Sequence, residues 1–507
     1  MLYSIAESTH VPFYPATTFI SKSSVCSATG SSNRFTEMLT RPPNAHNQAT
    51  NDLSPGRLAT LRGWMKSKLG LDRAIAFTVL ARTWASVAGL ATVALIAQFL
   101  SQSEQGYYYT FGSLIALQIV FELGFSFVIL QMASHERAHL VLHEDGSVSG
   151  EPTAHARLAS VLQKTVRWYS AAAVLLATFL LFAGAQFFAV HQQTGEAVHW
   201  RFSWFAAAIA ASITFQLDPV LSFMEGCGFV ADIARLRFFQ AVVGSMLAWV
   251  SLVAHHGLLA PAMIIAGNAS VAAIWLWSHR KFLLGLLRHS PSEHRIHWMS
   301  EVWPFQWRIA VSWLCGYFIY QLFNPVLFAY QGAVVAGQMG MSLSIVNALK
   351  SVSMSWINTK AAPFGNLIAR KQFSTLDRVF FRALIQSLAV CLAGASIIYS
   401  GSVYLNWKQV TFCHRLLRPN LLGLLLIGAL IDTTVFSEAL YLRAHKHEKF
   451  LHISILTALL MSASTLICGK YLGVNGIVVS ALVIGIIAGL PLGTYTFLKY
   501  RRIWHAQ

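Results

Sequence analysis

The segment between residues 116 and 127 reads ALQIVFELGFSF and carries a single carboxylate, Glu122. No other charged residue lies between Gly112 and Met132. A helix of about 20 apolar residues crosses the hydrocarbon core of a bilayer. An ionisable side chain is costly in hydrocarbon, so it usually faces the bundle interior or a water-filled cavity. The segment therefore predicts a membrane-spanning helix in which Glu122 faces inward.

The composition of the whole chain agrees with this prediction. Of its 507 residues, 55% are hydrophobic and 11% are charged, whereas about a quarter of the residues in soluble domains are charged. The net charge of +17 does not indicate nucleic-acid binding, because the Lys and Arg residues lie in short clusters between apolar runs. We therefore expect an integral membrane protein that is embedded in a lipid bilayer.

Twelve apolar runs are long enough to cross a membrane. They cover residues 76–100, 107–132, 166–190, 202–224, 236–254, 258–277, 305–329, 333–358, 379–403, 420–441, 451–469 and 476–498. The polar loop 278–304 divides them into six and six, so both halves start on the same side, as in transporters built from parallel repeats. The predicted fold class is an all-α membrane protein with about twelve transmembrane helices.

The corresponding domains are an N-terminal tail at 1–55, a first lobe at 56–277, a linker at 278–304 and a second lobe at 305–507. The tail is rich in Ser, Thr, Pro and Asn and has no sustained apolar period, which predicts disorder. Its first residues also lack the basic start and apolar run of a signal peptide.

Basic residues are distributed unevenly between alternate loops. If the N-terminus is cytoplasmic, the outer loops carry only Arg201, Lys408, Arg415, Arg418 and Lys470, and the remaining cationic clusters are cytoplasmic. An excess of Lys and Arg is typical of cytoplasmic loops. The pattern predicts that both termini are cytoplasmic. The long cytoplasmic loops 133–165 and 278–304 could each form a surface helix.

Several charged residues lie inside the predicted spans. They are Arg82, Glu122, Asp218, Arg308, Lys350, Asp432 and Glu438. One interpretation is that they form ion pairs that hold helices together, such as Arg82 with Glu122. The other is a polar cavity between the two halves, in which Arg82, Arg308 and Lys350 attract an anion. Helical spacing supports polar stripes, for example Asn347, Ser351, Ser355 and Asn358 in the eighth span.

The sequence shows no nucleophile motif, phosphate-binding Gly loop or catalytic carboxylate pair, so we expect neither an enzyme nor a cofactor. The histidines at 135, 139 and 143 have the spacing of one helical face. A metal site is disfavoured there, because an i, i+4 pair needs a third converging ligand, whereas His445 and His447 are interpreted as part of the cytoplasmic basic rim. The six cysteines lack metal-type spacing and are interpreted as small buried side chains.

Two segments resemble Wzx-type polysaccharide flippases of the multidrug/oligosaccharidyl-lipid/polysaccharide exporter superfamily. The first is LARTWASVAGLATVALIAQFLSQSEQGYYYTFGSLIALQIVFELGFSFVILQMASHE, at 80–136, and the second is VVAGQMGMSLSIVNALKSVSMSWINTKAAPFGNLIARKQFSTLDRVFFRAL, at 334–384. The resemblance implies two six-helix lobes around a central cavity in a bacterial inner membrane. It also implies a lipid-diphosphate-linked glycan as substrate and the polysaccharide assembly machinery as partner.

A cationic cavity suits such a substrate, because Arg and Lys complement phosphate charge. Arg82, Glu122, Arg308 and Lys350 are therefore the candidate cavity residues, chosen by position and chemistry. The alternative is a cation-coupled multidrug exporter of the same superfamily, which needs carboxylates such as Asp218, Asp432 and Glu438. A membrane glycosyltransferase is disfavoured, because the outer loops are too short for a catalytic domain.

Overall fold

The computed structural model describes residues 73–143, 147–192, 198–289, 296, 298–445 and 449–505, and these belong to one compact unit. The predicted tail at 1–55 lies outside the described residues. The described chain is almost entirely helical, with one two-stranded hairpin. The predicted all-α membrane fold is confirmed.

Each predicted span corresponds to a helix or a set of consecutive helices, and we keep the predicted ordinal for each. Spans 1 to 6 are Arg73–Phe99; Gln102–Ile115 with Gln118–Glu122 and Phe125–Arg137; Pro152–Phe179 with Leu180–Gly184 and Ala185–His191; Trp200–Gly226; Val230–Val253; and Ala260–Ser278. Spans 7 to 12 are Trp303–Tyr320 with Phe323–Gln331; Ala333–Asn358; Phe373–Trp407; Pro419–Ala444; Leu451–Tyr471; and Gly473–Ile484 with Gly485–Gly489 and Leu490–His505.

The number of clearly apolar spans is smaller than predicted. In the described part of the chain, ten helices are long and apolar enough to cross a membrane, and the bent pair in span 2 raises the number to eleven. Span 8, Ala333–Asn358, is a continuous helix of 26 residues but is absent from that set. Its Ser, Asn and Lys side chains lower its hydropathy, and the site described below shows what they face.

Span 2 is broken directly after Glu122. Leu123 and Gly124 both have positive φ angles, of 51° and 69°, and the helices on either side are bent by 46°. A glycine adopts this conformation at little cost. A Cβ at Gly124 would lie 2.6 Å from Ile309 Cγ2, so the glycine also allows span 7 to approach closely. The Gln306 side chain donates to the Leu123 carbonyl, which the break removes from the helical ladder.

Most helices pack against helices of their own half. Span 5 packs on spans 1 and 6, and span 4 packs on spans 3 and 6; in the second half, span 8 packs on spans 9 and 10 and span 11 on span 7. The halves meet where span 8 contacts spans 1 and 2, and where span 7 contacts span 2. We call this boundary the seam. The basic end of the molecule carries the loops after spans 2, 4, 6, 8 and 10, and the far end carries the others.

Of the two long loops predicted to be cytoplasmic, one forms a separate short helix in its described residues. Residues 280–287 form the helix Arg280–Leu287, and the Gln163 side chain of span 3 donates to the Leu286 and Leu287 carbonyls at its end, both at 3.2 Å. The other loop instead forms the hairpin Leu140–Leu142 with Val148–Gly150, and span 3 begins at Pro152. The expectation of a separate helix in 133–165 was therefore wrong.

Further along the linker, Ile296 is fixed to span 3. Its backbone N–H donates to Ser160 Oγ at 3.2 Å, and its carbonyl accepts from Lys164 Nζ. Trp298, which follows, lies with its ring 5.5 Å from that of Phe125 in span 2. Ile296 and Trp298 thus lie against the first half shortly before span 7 begins.

Span 3 contains a π-helical segment, Leu180–Gly184, in which the hydrogen-bond ladder is one residue wider. The buried Trp204 of span 4 donates from Nε1 to the Leu180 carbonyl at 3.0 Å. A Cβ at Gly184 would lie 2.2 Å from the Trp204 ring. The indole therefore fills the space that this glycine leaves and satisfies a carbonyl of the widened turn.

Candidate functional site

The far half of the seam is closed by direct backbone packing between spans 2 and 8. A Cβ added at Gly106 would lie 1.9 Å from the Ala333 carbonyl oxygen, and one at Gly337 would lie 2.8 Å from the Gly106 nitrogen. Nearby, Asn324 Nδ2 of span 7 donates to Ser113 Oγ at 3.2 Å. A side chain at Gly106 or Gly337 would prevent this approach, so spans 2 and 8 are in direct backbone contact at the far end.

The seam between spans 2 and 7 stays closed toward the basic end. Ile309 packs against Gly124, and the Gln306 side chain, which is fully buried, reaches the Leu123 carbonyl at the break in span 2. Gln306, Ile309 and Trp313 therefore define the face of span 7 that contacts the first half.

Spans 1 and 8 pack together in the far half of the seam. There Val93 and Ile96 of span 1 belong to the same buried cluster as Met341 of span 8. Arg82 lies eleven residues before Val93, about three helical turns, and so shares its face. Arg82 is exposed, and no ion pair holds its guanidinium in the described residues. Arg82 therefore lies on the side of span 1 that packs against span 8 further along the helix, and its exposed side chain borders an open space there.

Span 8 presents a polar stripe to the same space. Gly337, Ser344, Ser351 and Asn358 follow one another at intervals of seven residues, about two turns, so they share one side of the helix. The first two pack against span 2, whereas Ser351 and Asn358 are half-exposed. The stripe that closes the seam at the far end therefore lines an open space at the basic end, which explains the low hydropathy of span 8.

Lys350 flanks this stripe and is neutralised within the second half. Its Nζ lies 3.0 Å from Asp432 Oδ2 of span 10 and 5.0 Å from the ring centroid of Tyr320 in span 7. The Lys350 side chain is 15% exposed and that of Asp432 is 35% exposed. The sequence placed these two residues in different candidate groups, and the structure joins them.

Arg308 lies on a different face from the other cations. It follows Gln306 by two residues, about 200° around the helix, so it points away from the side that contacts span 2. Its guanidinium is exposed and lies 5.5 Å from the Trp307 ring centroid. This placement near the start of the span is typical of interfacial anchoring, in which a long cationic side chain reaches the headgroup region.

Among the described residues, Glu122 forms no ion pair with Arg82, so the interpretation that joined these two residues does not hold. The Glu122 carboxylate instead lies beside the Ser126 hydroxyl and close to Tyr169 of span 3, which is buried. The Tyr169 ring also contacts Phe215 of span 4 at 5.1 Å. Glu122 therefore faces the interior of the first half, as predicted, with a different set of neighbours.

The remaining candidate carboxylates lie within single halves. Asp218 of span 4 is half-buried and lies within electrostatic reach of Arg237, whose guanidinium is 3.7 Å from Glu225. Glu438 of span 10 is 4% exposed and accepts from Thr494 Oγ1 of span 12 at 2.9 Å, while its Oε2 has no hydrogen-bond partner among the described residues.

The histidine series does not share a helical face. Span 2 ends at Arg137, and His143 lies beyond the first strand of the hairpin, with Nε2 2.7 Å from Ser149 Oγ. Among the described residues, no group of three His, Cys, Asp or Glu side chains is arranged to hold a metal ion.

Sequence reasoning missed the glutamines that bridge the halves. Gln105 and Gln306 are both nearly fully buried and both donate across the seam. The signal was present, because an uncharged amide within or beside an apolar span also needs a partner. Only charged residues were considered as candidates.

No protein-family model matches the sequence, and no curated protein shows a significant match. Solved structures with a similar fold include an inward-facing multidrug resistance MATE family transporter of the MOP superfamily, with a TM-score of 0.55 and 15% identity over 82% of this chain and 99% of that chain. The eukaryotic MATE transporter AtDTX14 gives 0.53 and 12% over 88% and 99%. The lipid II flippase MurJ in an inward closed conformation gives 0.53 and 13% over 85% and 90%. At these identities the likeness is one of fold, and the chain has the all-α membrane fold that MATE transporters share with MurJ.

Proposed function

We propose that this protein moves a lipid-diphosphate-linked oligosaccharide from the inner to the outer leaflet for surface polysaccharide biosynthesis. The observation that carries the proposal is the uneven seam between spans 1 and 8. It is packed at the far end, whereas at the basic end Arg82 of span 1 and the Ser and Asn side chains of span 8 are accessible on the helix sides that continue this packed face. A polar headgroup can enter such a gap from the side while its lipid tail stays in the bilayer.

The chemistry of the gap suits a phosphorylated glycan. A diphosphate needs cationic compensation inside a membrane, because hydrocarbon offers no counterion. The Arg82 guanidinium is exposed and provides a planar fork that matches phosphate oxygens. The Ser and Asn side chains of span 8 supply neutral donors and acceptors for sugar hydroxyls. Lys350 contributes less positive charge than the sequence suggested, because Asp432 already compensates it.

The likeness to MurJ supports this proposal, since that protein is described as a lipid II flippase. The likeness to MATE transporters supports the alternative, a cation-coupled multidrug exporter. One observation favours the alternative specifically: Glu438 is buried with an oxygen that lacks a partner. A carboxylate in that setting is suited to take up a proton or a cation.

The decisive experiment compares two arginines in proteoliposomes. A fluorescent polyprenyl-diphosphate sugar is incorporated into both leaflets, and its accessibility to an external quencher reports flipping. Arg82→Gln should slow flipping by at least about tenfold, the effect of losing one charge-assisted hydrogen bond of about 1.5 kcal/mol or more. Arg308→Gln is the matched control, because it removes the same group from the face of span 7 that points away from span 2. This variant should flip the lipid at close to the wild-type rate.

Two outcomes would overturn the proposal. One is wild-type protein that leaves the labelled lipid in place but exports a cationic dye along an imposed proton or sodium gradient, which establishes the alternative. The other is an Arg82→Gln variant that flips as fast as Arg308→Gln at equal protein content.

A further inference from the structure

The loop between spans 9 and 10 lies across the far end of the seam. After the short 3-10 turn Thr411–Arg415, Leu416 packs in the buried cluster that contains Leu100 of span 1 and Met341 of span 8. The next backbone N–H, of Leu417, donates to Ser342 Oγ of span 8 at 3.0 Å. The loop is therefore seated on both halves at once.

Gln105 ties this loop to the two halves. Its Nε2 donates to the Gly337 carbonyl of span 8 at 2.8 Å and to the Arg415 carbonyl of the loop at 3.0 Å. In return, Arg415 Nη1 donates to Gln105 Oε1 at 3.3 Å. Gln105 is 1% exposed, and both amide hydrogens and the amide oxygen are used. One side chain of the first half thus holds two segments of the second.

The Glu104 carboxylate lies near this contact and is held in place by hydrogen bonds. The Glu104 carboxylate accepts from the Ser101 backbone N–H at 2.8 Å, and the Glu104 N–H donates to Ser101 Oγ at 3.2 Å, the reciprocal pair of a capping box. Burial lowers the pKa of Arg415, and the nearby Glu104 carboxylate acts in the opposite direction. Glu104 is therefore placed to favour the loop cation at this position on span 2.

We propose that residues 411–417 form a latch that keeps the far end of the seam shut through Arg415 and Gln105, and that the latch must release before the far end opens. Opening moves span 2 away from span 8, so it breaks all three hydrogen bonds of the Gln105 amide together. The released groups gain water as partners, so the net cost is modest and the closure reversible.

The test measures how often the far end opens, without any transported substrate. A reporter cysteine replaces Met341, which is fully buried in the closed seam, in a protein whose native cysteines are changed to Ser or Ala. The protein is placed in lipid nanodiscs and treated with a polar maleimide. Labelling then reports the fraction of time for which the seam is open.

Arg415→Ala and Gln105→Ala should each raise the labelling rate at least about fivefold, because a hydrogen bond to a charged group shifts a two-state equilibrium by that order. The double variant should label clearly more slowly than the product of the two single effects predicts, since both changes remove the hydrogen bond between Arg415 and Gln105. Arg418→Ala is the matched control, being an exposed arginine three residues along the same loop, and should stay at the background rate.

Labelling of Arg415→Ala at the rate of Arg418→Ala would overturn the latch. So would additive effects of Arg415→Ala and Gln105→Ala, which would show that the two residues act independently. If Arg415→Ala does not elute as a single folded species, Arg415→Lys replaces it with the same expectation, because lysine keeps the charge without the guanidinium fork. Flipping or drug export enters none of these readouts, so their failure leaves the proposed function untouched.

Discussion

Breaking the pair between Lys350 and Asp432 should destabilise the protein asymmetrically. At 3.0 Å, two unit charges attract by roughly 5–6 kcal/mol at an effective dielectric constant of about 20. Part of this is offset by desolvation and by solvent screening at the more exposed carboxylate. Asp432→Asn leaves a mostly buried ammonium without its counter-charge, beside a neutral amide oxygen and the Tyr320 ring, so we expect a loss of about 2–3 kcal/mol.

Lys350→Met should cost less, about 1 kcal/mol, because the remaining carboxylate is 35% exposed and reaches water. The double variant should recover most of the loss, since it leaves no unpaired charge and methionine fills the same apolar path. The assay is thermal unfolding of the detergent-purified variants, in which size-exclusion chromatography measures the folded fraction that remains after heating. The expected order of melting temperatures is wild type, Lys350→Met and the double variant close together, then Asp432→Asn.

Two results would refute this reasoning. If Asp432→Asn melts no lower than Lys350→Met, the burial asymmetry does not govern the pair. If the double variant melts as low as the sum of the single changes predicts, the residues are not energetically coupled.

The other predictions concern close packing. Gly106→Ala should abolish the closed far end or the folded protein, because its Cβ would overlap the Ala333 carbonyl. Gly112→Ala meets no neighbour within 4 Å and should raise the free energy of unfolding by about 0.5–1 kcal/mol. Both effects are measured by membrane yield and melting temperature, and equal values for the two variants would contradict the packing. Trp204→Phe should cost about 1–2 kcal/mol, since it leaves the Leu180 carbonyl without its indole donor; an unchanged melting temperature would show that the π segment closes without it.

The helices could be predicted from the sequence because bilayer thickness sets their length and hydropathy their position. Span 8 is the instructive case, because its polar residues keep it out of the apolar set although it is a full-length helix. The pairing of Lys350 with Asp432, 82 residues apart, could not be predicted, since it depends on how spans 8 and 10 pack. Arg308 was a cavity candidate by position and chemistry, and the direction in which it points could be derived only from the contacts of Gln306 and Ile309 with span 2.

The break after Glu122 accounts for the neighbours of its carboxylate. One of the two interpretations of the sequence paired Glu122 with Arg82, and no such pair is present among the described residues. The two positive φ angles turn the chain at this point, and Ser126 of the next segment comes to lie beside the carboxylate. The hydrophobic period of the sequence does not reveal a turn of this kind, although Gly124 marks where it occurs.

The contacts of Ile296 with span 3 shorten the free chain that connects the two halves. A flexible chain reaches up to about 3.3–3.6 Å per residue, so the loop after span 6 alone could let the halves separate widely. Because Ile296 is hydrogen-bonded to Ser160 and Trp298 lies against Phe125, the free length of chain between the first half and span 7 is short. The first half and the start of span 7 are therefore joined by only a few residues after Trp298, which limits how far they can separate on the side of spans 2 and 3.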